Sequence, residues 1–226
     1  MRRALSVFLL ILIWAVAPAQ LKGKVVCIDP GHPSEVGRGT HGRQLTEVQV
    51  AWDMALRVKA RLEKLGAKVV LTKSSRDQVV KNKARAEVAN RAKADFMLRL
   101  HCDAAAGSGF TSYYPTQQGT SQGVKGPSPE LLKRLPPFAK RFHEAMAKGM
   151  KGQLPDLGLK SDLKTAIGGK QGALTGSIFS QVPVVLVEMV VLTNLKDEAY
   201  IARAEGKAKF ADALTQGVVA ALTNKH

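Results

Sequence analysis

From Val25 onward the chain alternates between short, almost wholly apolar runs and longer stretches in which apolar residues recur every three or four positions. The short runs read as buried strands, and the longer recurrence reads as helices with one face on a core. Residues 25–28 are the first strand, stopped by the turn Asp29-Pro30-Gly31, with His32 just past its C-terminal end. Residues 46–66 place Val48, Ala51, Trp52, Ala55, Leu56, Val58 and Leu62 at helical spacing, with Glu47 in the first turn and Gly66 as the stop. Residues 67–72 read as a second strand, residues 83–94 as a second helix and residues 96–102 as a third strand that closes on His101. Residues 110–115 make a short fourth strand. Strand, helix, strand in this order implies parallel crossovers and an α/β fold.

The second half is less regular. Residues 116–129, rich in Gly, Gln, Ser and Pro, read as a loop, and residues 130–135 as a helical turn. Pro136-Pro137 suits the start of a helix to about residue 150, with Phe138, Phe142, Met146 and Met150 on its packed face. His143 lies on that helix among basic neighbours and reads as a surface residue. Residues 152–180 are glycine-rich and without a period. Residues 182–187 form the most apolar strand, which Glu188 ends, and residues 198–221 close the chain as one helix. No repeat and no second domain appear.

Composition changes the picture in one respect. The apolar content of 45% over 226 residues supports one sizeable core, but the formal net charge is +16. Residues 1–19 form a separate unit, with Arg2 and Arg3 before an apolar run and then Ala17-Pro18-Ala19. This is the pattern of a secretory signal peptide, cleaved before Gln20. The run is shorter than the roughly 20 residues that span a bilayer. Without the leader and its two arginines the charge is +14 on residues 20–226. An exported protein so basic is expected to meet anionic envelope polymers or lipid head groups rather than nucleic acid; a solvated basic surface without a partner is the alternative. Cys27 and Cys102, both in strand-like runs, are either a disulfide or two buried thiols.

Four residues carry candidate chemistry. His32 and His101 end strands, Glu47 opens a helix and Glu188 ends a strand, and C-terminal strand ends are where α/β sheets gather reacting groups. Two imidazoles and a carboxylate with an open fourth position make a catalytic zinc site, and a second carboxylate can serve as general base. Glu35, three residues after His32, is a rival to Glu47 as the carboxylate ligand. Strand alternation sets Met97, Arg99, His101 and Asp103 on one face, so Arg99 shares the histidine's side. Its guanidinium must meet either a protein carboxylate or a carboxylate of a bound substrate.

Asp29-Pro30-Gly31-His32, Leu45-Thr46-Glu47, residues 85–95, Leu100-His101 and Leu186-Val187-Glu188 together resemble the zinc-dependent N-acetylmuramoyl-L-alanine amidases of the type 3 amidase family. The resemblance implies a single α/β domain with a mostly parallel twisted sheet and helices on both faces. It implies zinc (Zn2+) held by His32, Glu47 and His101, with Glu188 as the catalytic carboxylate; Arg99 is a candidate substrate-binding residue from its place on the strand alone. The substrate would be peptidoglycan, cut between the lactyl group of N-acetylmuramic acid and L-alanine by an exported monomer in the periplasm or cell wall. The alternatives are another zinc peptidase acting on wall peptides, or a non-catalytic wall-binding homologue. Pro33-Ser34-Glu35 stands where the family usually has glycines, Val190-Val191 where it has a Gly-Phe pair, and Arg99 where it commonly has a serine. Some members insert a helix that covers the zinc until an activator removes it. The stretch between Tyr114 and Val182 has room for a loop, one helix and a glycine-rich segment, but not for such a plug.

Overall fold

The structure, a computed structural model, describes residues 19–223, so the expected leader lies outside the described residues but for Ala19. The strands are β1 (Val25–Pro30), β2 (Lys68–Leu71), β3 (Phe96–Asp103), β4 (Phe110–Tyr114), β5 (Gly119–Ser121), β6 (Val124–Gly126), β7 (Asp156–Ser161) and β8 (Val184–Val191). Six of them form one sheet in the order β2-β1-β3-β8-β4-β7, and β5 pairs with β6 in a separate hairpin. All neighbours in the large sheet are parallel except β4 against β8.

The helices follow from apolar stripes and caps. α1 (Glu47–Lys64) opens on a reciprocal capping box between Thr46 and Gln49, an arrangement worth about 1 kcal/mol. It buries Val50, Met54, Val58 and Leu62 on one face of the sheet. The same face receives Phe138, Phe142 and Met146 from α3 (Pro129–Met150) and Phe210, Leu214 and Val218 from α7 (Ala204–Thr223). Phe96 of the central strand β3 meets Phe138 and Phe142 edge to face at 4.9 and 5.3 Å. The opposite face is covered by α2 (Asn82–Arg91), whose Ala89 packs with Cys27, Met97 and Val184. Cys27 and Cys102 are therefore two buried free thiols packed in separate clusters.

Several elements differ from the expectation. Pro136 and Pro137 stand inside α3, which starts seven residues earlier at Pro129 behind the cap of Ser128. Both prolines are on the exposed side, so the carbonyls they leave without donors face water, while the buried stripe Leu131, Leu135, Phe138, Phe142 carries the helix through. β8 runs on to Val191 instead of stopping at residue 187, because Met189, Val190 and Val191 are buried. The closing helix is two: α6 (Leu195–Ala202), capped by Asn194, and α7. The loop at 116–129 contains the β5–β6 hairpin. The glycine-rich segment holds β7, a 3-10 turn (Asp162–Lys164), α4 (Ala166–Gln171) and α5 (Thr175–Ile178).

His143 is buried, not on the surface. Its Nδ1 lies 2.9 Å from Ser112 Oγ and its Nε2 3.2 Å from Asp156 Oδ1, because α3 packs against β4 and β7. No helix among the described residues is long and apolar enough to cross a membrane.

Candidate active site

His32, Glu47 and His101 converge at the C-terminal edge of the sheet, with one ligand atom from each lying within 4.8 Å of the others. The parallel pairing of β1 with β3 sets the turn after β1 beside the end of β3. Gly31 makes that approach possible: its N–H donates to Leu100 O at 2.8 Å, and a Cβ there would come 2.7 Å from the His101 ring. His32 follows with φ at 48°, a left-handed conformation that costs a residue with a side chain roughly 1–2 kcal/mol. The turn is held by Lys73, whose buried ammonium donates to His32 O and to Arg76 O.

Glu47 is brought in by the first turn of α1, and its approach is fixed from outside the helix. Glu198 of α6 accepts the backbone N–H groups of Arg43, Gln44 and Leu45 at 3.1, 2.6 and 2.8 Å, tying down the segment that leads into α1. Glu47 Oε1 then lies 2.9 Å from His101 Nδ1 and 3.7 Å from His32 Nε2, and accepts Cys102 N–H at 3.1 Å. Its Oε2 accepts Thr40 N–H at 2.8 Å. His32 Nδ1 lies 3.0 Å from Gly37 O; as the donor there, it leaves the Nε2 lone pair facing Glu47 and His101.

Burial alone would raise the Glu47 pKa, but the hydrogen bond from His101, the two imidazoles and Thr40 N–H outweigh it and hold the carboxyl below its ordinary range. Burial lowers the pKa of His101. An ionised carboxylate beside a neutral imidazole is the protonation state a cation needs. His101 Nε2 is buried with no hydrogen-bond partner among the described residues, and so is Glu188 Oε2. Each orphan costs about 1–3 kcal/mol, which a bound ion or substrate would recover. The donor set therefore fits a metal ion.

Glu188 sits on β8 directly beside His101 of β3. Its pKa is pushed well up by burial, and further by the charges of Glu47 and Asp103, with Arg99 opposing. Two cavities meet at His32, His101 and Glu188: one of about 200 Å³ reaching Asn82 and Arg99, and one of about 430 Å³ reaching Arg38 and Thr40.

The family pattern of the N-acetylmuramoyl-L-alanine amidases matches residues 26–220. The chain belongs to the type 3 N-acetylmuramoyl-L-alanine amidases. It is 28% identical over 236 residues to the N-acetylmuramoyl-L-alanine amidase Rv3717 of Mycobacterium tuberculosis, covering 93% of this chain and 91% of that one. With LytC, an N-acetylmuramoyl-L-alanine amidase of Bacillus subtilis, identity is 31% over 200 residues, covering 87% of this chain and 35% of the relative. The apo crystal structure of the amidase Ami1 from Mycobacterium abscessus superposes with a TM-score of 0.70 at 25% identity, covering 89% of this chain and 99% of that one. The catalytic domain of the amidase CwlV from Bacillus (Paenibacillus) polymyxa gives 0.67 at 27%, covering 86% and 96%.

Within this amidase fold the expected residues meet in one cleft, and Glu35 does not join them: its carboxylate accepts Asn82 N–H, at 2.9 and 3.2 Å, at the start of α2. Arg99 makes an internal ion pair, with Nε 2.8 Å from Asp29 Oδ2, while Arg85 Nη1 lies 2.6 Å from Asp29 Oδ1. Sequence reading missed the supports Glu198, Lys73 and Asn82. For Glu198 a signal existed: Asn194, a capping residue at the end of an apolar run, marks the start of α6 and so puts Glu198 in its first turn. Nothing in the sequence marks Lys73.

Proposed function

We propose that this chain is an exported zinc hydrolase that cleaves the amide between the lactyl group of N-acetylmuramic acid and L-alanine in peptidoglycan. The observation that carries the proposal is the meeting of His32, Glu47 and His101 with Glu188 alongside, in a member of the amidase family. His32, Glu47 and His101 would hold the ion, and two imidazoles with one carboxylate suit zinc. Bound there, zinc would supply a Lewis acid that polarises the amide carbonyl and lowers the pKa of water to about 7.

The chain's own groups do the rest. Glu47, locked by Cys102 and Thr40 N–H groups, keeps the imidazoles in place without a change of its own. Glu188 Oε2, without a partner among the described residues, takes the proton of the attacking water and returns it to the departing L-alanine nitrogen. A cation held by His32, Glu47 and His101 would oppose the upward push on its pKa and favour the ionised form that accepts that proton. Export rests on the leader at residues 1–19, and the charge left on residues 20–226 favours an anionic wall surface.

Incubating the zinc-loaded protein with purified peptidoglycan and labelling the newly released amino groups tests the reaction. New amino-terminal alanine is the expected product. Other amino-terminal residues would make the protein a wall peptidase, and zinc binding without any release would make it a wall-binding homologue.

A further inference from the structure

The smaller cavity has a character that cleavage alone does not require. Its rim carries Val36 and Ile167, left 58% and 38% exposed, whereas Arg99 within it is 3% exposed. Arg99 lies two residues before His101 on the same face of β3, which sets it about 6.6 Å back along the strand.

The guanidinium is only partly satisfied by the protein. Nε donates to Asp29 Oδ2 at 2.8 Å and Nη2 to Asn82 Oδ1 at 2.6 Å. Nη1 has no acceptor among the described residues. It faces Gly176, where a Cβ would stand 2.5 Å away, so only glycine leaves that nitrogen room. Its counter-ion is shared as well. Asp29 is the counter-ion of both Arg85 and Arg99, and all three side chains are almost wholly buried. Asp162 and Glu188 also sense Arg99 but neither forms an ion pair with it, and Asp162 has its Oδ2 on Leu174 N–H. A buried guanidinium with a shared counter-ion and a free N–H edge in a cavity is a receptor for a carboxylate.

Resting on the amidase reading, the substrate offers such a group at the right reach. Successive α-carbons are 3.80 Å apart, so a carboxylate on the residue after L-alanine lies about 7 Å from the scissile carbon when extended. That residue is joined onward through its side-chain carboxyl, and its α-carboxyl is free in some walls and amidated in others. The sugar side has no carboxylate while its lactyl group is in amide linkage, and the wider cavity remains for it. We infer that the smaller cavity is the stem-peptide subsite, and that Arg99 receives there the free α-carboxylate of the residue following L-alanine. The protein thereby favours stems with that carboxylate over amidated ones.

The test uses two soluble muramoyl-peptides that differ only in carboxylate against carboxamide at the second residue. Wild-type protein should show KM about tenfold lower for the carboxylate form with similar kcat, the size of one charge-assisted hydrogen bond. Arg99→Gln should remove the difference; a purely structural Arg99 would change both substrates alike and leave their ratio intact. Calorimetry of the two free stem peptides with zinc-free wild-type protein reads the subsite without catalysis and without a variant. Preferential binding of the carboxylate peptide is expected there even if neither muramoyl-peptide is cut, a result that would sink the amidase reading alone. Equal affinity for the two peptides, or equal KM, overturns the subsite.

Discussion

Glu188 and His101 are register partners across the parallel pair of β8 and β3. Both point into the cleft, because strand alternation turns Leu100, Cys102, Val187 and Met189 into the core on the other side. The carboxylate is therefore carried by the sheet itself and not by a loop, which suits a group that must meet a proton at a fixed place.

Glu188→Gln should leave zinc content at about one per chain and lower turnover about 100-fold or more, the loss expected when a general base is removed. Metal analysis beside hydrolysis rates checks this. Loss of zinc together with activity would make Glu188 a ligand instead.

Replacing His101 or Glu47 by Ala should empty the metal site. Glu35→Ala should keep zinc and cost less than about 1 kcal/mol, since it removes only an exposed carboxylate from the start of α2. Full zinc in Glu47→Ala with none in Glu35→Ala would overturn the ligand set.

Asp29 should contribute to the acid limb of stability. Burial alone would raise its pKa, but Arg85, Arg99 and the Thr72 hydroxyl, 2.5 Å away, outweigh that and hold the carboxyl well below its ordinary range. The folded pKa thus lies below the unfolded value of about 3.9, so this stabilisation is complete above about pH 5 and is lost as pH falls through the lower value. Asp29→Asn should destabilise the protein by about 3 kcal/mol or more at pH 7, by stranding two guanidiniums, and should show a flatter acid limb. Denaturant melts of both proteins between pH 7 and about 3 read the two effects. An unchanged acid limb would remove Asp29 from this role.

Thr165, Ala166, Ile167, Leu174 and Thr175 line one wall of the cleft, and a charge of +14 on residues 20–226 is available for wall binding. The zinc-loaded protein should digest purified wall without an activator. Its binding to wall should weaken as ionic strength rises past about 0.1 M, where the Debye length is about 10 Å. Silence until a partner is added would refute the first statement, and salt-independent pelleting with wall the second.

Whatever depends on near neighbours along the chain was legible before any packing was known. The β1–α1–β2–α2–β3 half could be read because its strands are short apolar runs and α1 repeats Ala51, Ala55, Val58 and Leu62 at helical spacing, all of them buried. The motifs around His32, Glu47, His101 and Glu188 named the site residues, and alternation along β3 put Arg99 on the side of His101. Short elements escaped, since α4 and α5 span too few residues to show a period and the α3 prolines imitate a helix start.

Which groups meet was settled by packing alone. β-sheet register puts Glu188 beside His101, Glu198 reaches back to residues 43–45, and His143 finds Ser112 and Asp156 although its sequence neighbours are basic. The two possibilities for Arg99 were resolved into an ion pair with Asp29 for the same reason. A side chain's partners come from other strands and helices, and the energies that select them, burial and pairing of charge, exist only once those elements have packed.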